Sequence, residues 1–165
     1  MQRRQFLLTT IFAGAATALG FAVSGRAVGA EGSFPVSFTP EEWRKKLTGD
    51  QFAVLREEAT ERPFSSQLNG NKASGLYHCA GCDTALYSSE TKFDSGTGWP
   101  SFYAAVEGGV ATSTDYKLVY PRTEVHCATC GGHLGHVFDD GPQPTGKRHC
   151  INGVVLNFKP GSVAS

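Results

Sequence analysis

Residues 79–82 read Cys-Ala-Gly-Cys, and residues 127–130 read Cys-Ala-Thr-Cys. Two residues between paired thiols allow a tight turn to direct both sulfur atoms at one ion, and two such turns complete a four-coordinate zinc site. Because 44 residues separate the pairs, a shared ion would tie together distant parts of the chain. We therefore predict one structural Zn²⁺ per chain, held by four ligands: Cys79, Cys82, Cys127 and Cys130.

Two other interpretations of these cysteines stay open at this stage. The pairs could be redox motifs or local disulfides, although disulfides between cysteines this close are usually strained and neither pair has a thioredoxin-type strand-to-helix context. A zinc could also be held by a second set of suitable spacing: Cys127, Cys130, His133 and His136. That set leaves Cys79 and Cys82 without a role, so the four-cysteine site is preferred.

The chain around the cysteine pairs begins with helical signals and continues with strand signals. Residues 39–42 (Thr-Pro-Glu-Glu) have the form of a capping box and predict a helix over residues 40–47. A second helix starts after Thr48, covers residues 52–59 and ends before Pro63. We expect the buried helix faces to contain Trp43, Leu47, Phe52 and Leu55. Short β-branched and aromatic runs then predict antiparallel strands at residues 76–79, 85–88, 102–106, 110–114, 117–120, 123–127, 134–138 and 154–158.

The composition excludes several classes of protein. With 40% hydrophobic and 18% charged residues, the 165-residue chain is neither disordered nor a multi-span membrane protein, and its length suits one domain. Basic and acidic residues cancel over the whole chain, but residues 31–165 carry a net charge of −3. A mildly acidic body without a Lys/Arg run argues against nucleic acid as a partner.

The first thirty residues predict an export signal. A basic segment at residues 1–5 precedes an uncharged run at residues 6–23, and Val28-Gly29-Ala30 offers a cleavage site before Glu31. The run RRQFLL, residues 3–8, resembles a twin-arginine signal and predicts the bacterial periplasm. Left uncleaved, residues 6–23 would instead anchor the protein in the membrane. We assign residues 1–30 to the signal, 31–37 to a linker and 38–165 to the domain.

Cys150 is the fifth cysteine, and its neighbours favour a nucleophile over a buried filler residue. In a strand, Arg148 and Cys150 project from one face, where the guanidinium favours the thiolate, and Asn152 continues that face. Residues 133–140 (His-Leu-Gly-His-Val-Phe-Asp-Asp) add imidazoles and acids. If residues 134–138 form a strand, three residues share a face, namely His136, Phe138 and Asp140, while His133 lies in the preceding turn. Two histidines and an acid near a nucleophile are a candidate acid–base set.

Four ordered motifs together resemble one known family. They are GTGWPSF at residues 96–102, the two cysteine pairs, GGHLGHVFDDGP at 131–142 and RHCING at 148–153. Over about residues 38–160 the chain is similar to the methionine-R-sulfoxide reductases of the B type. The resemblance implies a mainly β, tent-like fold of two antiparallel sheets, with short N-terminal helices and a structural zinc knuckle pair. It also implies an oxidoreductase that reduces the R-epimer of methionine sulfoxide, mainly in peptides and proteins.

The resemblance further implies roles for single residues. Cys150 is the nucleophile, and Trp99 packs against the methyl group of the sulfoxide, although a Trp in a Gly-Pro loop would otherwise be interpreted as a core anchor. Five residues match positions that bind or polarise the sulfoxide oxygen: His133, His136, Asp140, Arg148 and Asn152. Asp139 matches no catalytic position of the family.

The chain departs from the family at Thr97, where many members have a resolving cysteine. With four cysteines on zinc and one nucleophile, no free thiol remains to form an internal disulfide. We therefore expect an external thiol, either a thioredoxin-like protein or a small thiol, to attack the sulfenic acid formed at Cys150. No flavin, nicotinamide or haem is required, and a monomer is expected.

Two other classes of protein account for fewer of these sequence features. A secreted zinc-ribbon interaction module gives no reason for Cys150, Trp99 and the histidine pair. A thiol–disulfide oxidoreductase would need a reactive cysteine pair outside the metal site.

Overall fold

The computed structural model describes residues 33–118 and 120–162. The signal predicted for residues 1–30 lies outside this range. Within it, no helix has the length and apolar character needed to cross a membrane. Part of the predicted linker contacts the domain, because the Val36 N–H donates to the Thr129 carbonyl at 3.0 Å and the Phe34 ring lies against Gly131.

Two short helices open the fold, and a capping box begins each of them. Helix α1 spans Pro40–Lys46 and helix α2 spans Gly49–Glu57. The Thr39 N–H donates to the Glu42 carboxylate at 2.8 Å while the Thr39 hydroxyl accepts the Glu42 N–H at 3.3 Å, which satisfies two otherwise unpaired groups. Both predicted helices are confirmed.

The backbone conformation of Glu58 determines where helix α2 ends. The side chains predicted to face the core are buried. Helix α2 stops two residues before the predicted end because Glu58 adopts the left-handed conformation, with φ at 53°. The side chains expected to be buried are at most 8% exposed: Trp43, Leu47, Phe52 and Leu55.

Within the described residues, nine strands form two antiparallel sheets. They are β1 (Gly75–Cys79), β2 (Ala85–Ser88), β3 (Lys92–Phe93), β4 (Ser101–Phe102), β5 (Val110–Asp115), β6 (Arg122–Cys127), β7 (His133–Phe138), β8 (Arg148–Ile151) and β9 (Leu156–Pro160). The smaller sheet has the order β2-β1-β9, and the larger has the order β3-β4-β8-β7-β6-β5. The predicted mainly β fold with two antiparallel sheets and short N-terminal helices is confirmed.

Three predicted strands are wrong in position or extent. In the predicted strand at 117–120, the described residues 117, 118 and 120 are not in a strand: β5 and β6 pair as far as Asp115 and Arg122, so these residues belong to their connection. Strand β4 stops at Phe102, because the residues that would pair with its continuation form the 3-10 turn Ser89–Thr91. Another 3-10 turn, Gly153–Val155, displaces the last strand to Leu156–Pro160.

Aromatic packing between the sheets determines which face of the larger sheet is buried and which one bears Cys150. Tyr77 and Tyr87 of the smaller sheet contact Phe102 of the larger one at centroid distances of 5.0 and 4.3 Å. His149 pairs with Phe102 on this inner face, and its Nδ1 lies 3.2 Å from the Tyr87 hydroxyl. Because successive residues of a strand alternate in direction, Cys150 points to the opposite face.

Candidate active site and metal centre

The four cysteines of the two pairs converge in the structure. Their sulfur atoms all lie within 4.8 Å of one another, with 3.8 Å from Cys79 to Cys130 and 3.5 Å from Cys82 to Cys127. A tetrahedral zinc with Zn–S bonds of about 2.3 Å has S···S edges of about 3.8 Å. All cysteines of the described range are free thiols, so neither pair is a disulfide. The cluster therefore has the donor set and spacing of a zinc site.

The surroundings of Arg56 provide a second indication of a metal at this cluster. Its Nη1 donates to the Cys130 carbonyl at 3.1 Å, whereas its buried Nη2 has no hydrogen-bond partner among the described residues. A buried cation without a counter-charge is unfavourable. Four thiolates around Zn²⁺ carry a net charge of −2, so an occupied site would supply that counter-charge.

The alternative ligand set that used His133 and His136 does not fit the structure. The Nδ1 of His133 lies 2.7 Å from Oε1 of Glu124, and the Nε2 of His136 lies 2.8 Å from Oδ2 of Asp115. Both imidazoles are therefore engaged by carboxylates of strands β6 and β5, outside the four-cysteine cluster.

Strand register places the reactive side chains in one row across the outer face of the larger sheet. Cys150 lies directly opposite Ser101 on one side and His136 on the other. The row continues from His136 to Glu124 and from Glu124 to Ser113. Directly opposed residues project from the same face, so the backbone pairing alone brings the thiol beside the imidazole.

A β-bulge brings His133 onto this face. The sequence predicted it in the turn before the strand, but His133 is the first residue of β7. In the register with β6, His133 opposes His126 and Gly135 opposes Val125, so Leu134 is an extra residue. The extra residue reverses the alternation, and the rings of His133 and His136 therefore lie on one face with centroids 5.4 Å apart.

Asp115 and Glu124 were missed by the sequence reasoning, although they are the carboxylates that contact the histidines. Burial raises the pKa of Asp115, but hydrogen bonds from the Lys117 backbone, His136 and Arg122 outweigh it and bring the pKa to about 2. Burial likewise opposes the hydrogen bonds that Glu124 receives from neighbouring groups, and the net effect lowers its pKa far below the usual range. Both carboxylates are therefore ionised at neutral pH.

An ionised carboxylate only accepts hydrogen bonds, which fixes the orientation of both imidazoles. His136 presents its Nε2–H to Asp115, and His133 presents its Nδ1–H to Glu124. Burial lowers the pKa of His136, and the Asp115 hydrogen bond partly offsets this. The second nitrogen of each ring has no hydrogen-bond partner in the described part of the chain, so it can contact a bound molecule.

Arg148 supplies the positive charge near the candidate nucleophile. Burial raises the pKa of the Cys150 thiol, and Arg148 is the largest opposing influence. The guanidinium is oriented by Asp140 through two hydrogen bonds of 2.9 Å and lies 4.5 Å from the Phe138 ring centroid. Asp140, expected to share a strand face with His136 and Phe138, follows the end of β7 and binds Arg148. It therefore acts on the site through that residue.

Hydroxyl groups border the thiol on its other side. The Thr97 Oγ1 lies 4.0 Å from the Cys150 Sγ. Ser95 bridges Thr97 and Ser101 with hydroxyl contacts of 2.8 and 2.7 Å. A residue at position 97 is thus within reach of Cys150, and in this chain that residue carries no thiol.

Trp99 and Asn152 are both bound to the backbone of Glu61. The Trp99 Nε1–H donates to the Glu61 carbonyl at 3.1 Å. Asn152 was expected to continue the strand face of Arg148 and Cys150, but β8 ends at Ile151 and the chain turns there. Asn152 is 4% exposed, its Oδ1 accepts the Glu61 N–H at 2.9 Å and its Nδ2 donates to the Leu134 carbonyl at 2.9 Å. Its side chain therefore holds the backbone around the site.

Comparison with known proteins gives one family. The family model described as SelR domain matches residues 47–160. Peptide methionine sulfoxide reductase B1, chloroplastic, of Oryza sativa subsp. japonica is 53% identical over 128 residues, which are 77% of this chain and 60% of that protein. Peptide methionine sulfoxide reductase MsrB of Methanosarcina barkeri is 56% identical over 125 residues, 75% of this chain and 88% of that protein. Methionine-R-sulfoxide reductase B2, mitochondrial, of Rattus norvegicus is 51% identical over 154 residues, 87% of each chain.

Proposed function

Because the chain belongs to the SelR-domain family of MsrB-type methionine sulfoxide reductases, we propose that it reduces the R-epimer of methionine sulfoxide in peptides and proteins. The observation that carries the proposal is the cross-strand row in which Cys150 lies opposite His136. Asp115 orients that imidazole from the neighbouring strand β5. A thiol, an oriented acid–base group and a nearby guanidinium are the groups that this oxidoreductase reaction needs.

The sulfoxide sulfur becomes electrophilic when its oxygen is protonated or strongly hydrogen-bonded. In the proposed reaction the Cys150 thiolate attacks this sulfur while a histidine, His136 with His133, delivers a proton to the oxygen. The oxygen is transferred to Cys150, which becomes a sulfenic acid, and methionine leaves. Cysteine sulfur is oxidised by two electrons and methionine sulfur is reduced by two, so the step balances without a further cofactor.

An external thiol completes the proposed cycle. The thiol attacks the Cys150 sulfenic acid, releasing water and leaving a mixed disulfide, and a second thiol then restores the Cys150 thiol. This route is supported by Thr97, which places a hydroxyl group and not a thiol 4.0 Å from the Cys150 sulfur. We propose a thioredoxin-like protein or a small thiol as the donor.

The metal and the location complete the proposal. Cys79, Cys82, Cys127 and Cys130 would hold one structural zinc, which stabilises the fold and takes no part in the chemistry. The twin-arginine-like residues 3–8 would direct the enzyme to the periplasm. Export that is undiminished after replacement of Arg3 and Arg4 by Lys would contradict this location.

The experiment that tests the activity uses the full chain, dithiothreitol and the separate R and S epimers of a methionine sulfoxide peptide. We expect turnover of the R-epimer only. A single turnover without reductant should add one oxygen atom to Cys150, detected by mass spectrometry of the peptide that contains it. Turnover of neither epimer, or of the S-epimer alone, would contradict the proposed function, and an internal disulfide at Cys150 would contradict the proposed role of the external thiol.

Substitution of Asp115 by Asn should shift the pH dependence of the reaction to lower pH. The Asp115 carboxylate raises the pKa of His136 against the effect of burial, so its loss lowers that pKa further. Protonated His136 then persists only at more acidic pH, and the alkaline limb of the kcat/KM profile moves in the same direction. At pH 7 we expect kcat/KM to fall by about tenfold or more.

The matched control for this prediction is Asp139→Asn. Asp139 is 82% exposed and pairs with Lys147 away from the histidines, so its variant should keep the wild-type pH profile. Equal profiles for Asp115→Asn and the wild type would exclude the proposed effect of Asp115 on His136.

A further inference from the structure

Glu61 binds four groups that belong to two parts of the site. Its carboxylate accepts the N–H groups of Gly153 and Val154 at 2.6 and 2.9 Å. Its own N–H donates to the Asn152 side chain, and its carbonyl accepts the indole N–H of Trp99. Glu61 therefore connects Trp99 directly to the turn that follows the strand of Cys150.

Core packing gives the Glu61 segment little support, so its position depends on these hydrogen bonds and on the Phe64 N–H, which donates to the Gly98 carbonyl at 2.7 Å. Its neighbours at positions 62–65 are all exposed, and Phe64 is 70% exposed. A cavity of about 530 Å³ lies beside the segment, and its lining includes Thr60, Glu61 and Arg62, residues of helix α2, and Val154. The segment thus has open space beside it, and Glu61 links it to the turn at residues 152–154 through its carboxylate and its N–H.

The Trp99 ring depends in turn on Glu61. Strand β4 begins two residues after Trp99, and its Ser101 pairs with Cys150, so the backbone near Trp99 is fixed by the sheet. This pairing does not fix the rotation of the indole about its side-chain bonds. Within the described residues, the indole N–H has one hydrogen-bond partner, the Glu61 carbonyl. Glu61 consequently sets the plane of the ring relative to the Cys150 thiol.

We propose that Glu61 is a positioning residue that determines which sulfur substituent the site accepts. The inference rests on the proposed function, in which Trp99 forms the wall that packs against the methyl group of the sulfoxide. A ring held in one plane leaves room for a methyl group and excludes a longer alkyl group. A ring that has lost the Glu61 hydrogen bond can rotate, so it packs less closely on the methyl group and leaves room for a longer alkyl group. This change weakens substrate binding more than it slows the chemical step.

The test is the Glu61→Gln variant, which keeps the shape of the side chain but replaces one accepting oxygen with an NH₂ group. That group cannot accept an N–H from Gly153 or Val154, so the segment loses a charge-assisted contact. We expect KM for an R-sulfoxide peptide to rise by about tenfold, with kcat within about twofold of wild type. The ratio of kcat/KM for methionine sulfoxide over ethionine sulfoxide should fall by a similar factor.

Two comparisons separate positioning from a general loss of stability. Glu57→Gln changes an exposed carboxylate that pairs with Arg44 and should leave KM and the substrate ratio unchanged. In a Trp99→Phe background, Glu61→Gln should cause no further loss of methyl-over-ethyl discrimination, because the indole N–H is already absent. Equal losses in both backgrounds would overturn the proposal.

Fluorescence provides a readout that does not require turnover. The chain has two Trp residues, and Trp43 is buried in the core, so the spectrum of wild type minus that of Trp99→Phe isolates the Trp99 emission. For the variant, the corresponding difference is Glu61→Gln minus the double variant Glu61→Gln/Trp99→Phe, and we expect it to lie at longer wavelength than that of wild type. An unchanged emission would overturn the proposal, whereas an inactive wild type with a shifted emission would overturn only the proposed function.

Discussion

Replacement of Cys150 by serine should abolish reduction of the R-sulfoxide, with kcat/KM falling on the order of 10³-fold or more. A serine hydroxyl ionises far less readily than a thiol, and Arg148 cannot compensate for this difference near neutral pH. The oxygen atom would also have no sulfur on which to form a sulfenic acid. The measurement is steady-state turnover with dithiothreitol, combined with mass spectrometry of the reductant-free reaction.

The same variant should retain one zinc per chain and the wild-type melting temperature. Cys150 lies on the outer face of the larger sheet and is absent from the cluster that holds the other four cysteines. Loss of zinc from Cys150→Ser would therefore show that the two cysteine roles are not separate. Activity within about tenfold of wild type would assign the nucleophile to another residue.

The parts of the structure that the sequence predicts correctly depend on local patterns. The helix starts follow from capping residues within four positions of each other, as at Thr39 and Glu42. The turn within each cysteine pair is likewise set by two intervening residues, so the ligand set could be proposed without knowledge of the fold. The strand predicted at residues 117–120 is wrong because its apolar residues do not face a core. Leu118 and Tyr120 are exposed side chains of a loop.

The contacts of the histidines could not be obtained from local patterns. Asp115 reaches His136 from 21 positions away, across strands whose register is set by the whole sheet. The position of His133 depends on the bulge at Leu134, which reverses the strand alternation. Asn152 was misplaced because the strand ends one residue earlier, at Ile151.

One signal for Glu124 was present in the sequence. Residues 123–127 were predicted as a strand in which Val125 and Cys127 share one face. Glu124 and His126 then share the other face, and acidic residues are disfavoured in strands. An acid beside a histidine in such a strand indicates that this face meets polar partners, and the structure places His133 among them.

Loss of a metal ligand should have the largest effect on stability. Cys79 ends β1 of the smaller sheet, whereas Cys127 ends β6 of the larger sheet, so a bound ion joins the two sheets. Structural zinc contributes about 10–16 kcal/mol of binding free energy in small zinc domains, which is comparable to the entire free energy of unfolding of a typical domain, about 5–15 kcal/mol. Cys127→Ser should therefore purify without zinc and, if it folds at all, melt at least about 10 °C below the wild type.

The informative comparison for this prediction is between Cys127→Ser and Cys150→Ser, two identical chemical changes inside and outside the cluster. Burial and hydrogen bonding alone predict a much smaller loss of stability, because sulfur-to-oxygen replacement at a small buried side chain costs about 1–3 kcal/mol, against about 10–16 kcal/mol for a structural zinc. The measurements are zinc content by elemental analysis and thermal unfolding under reducing conditions. A zinc-free Cys127→Ser protein with the same melting temperature as Cys150→Ser would show that the four-cysteine cluster does not stabilise the fold through a metal.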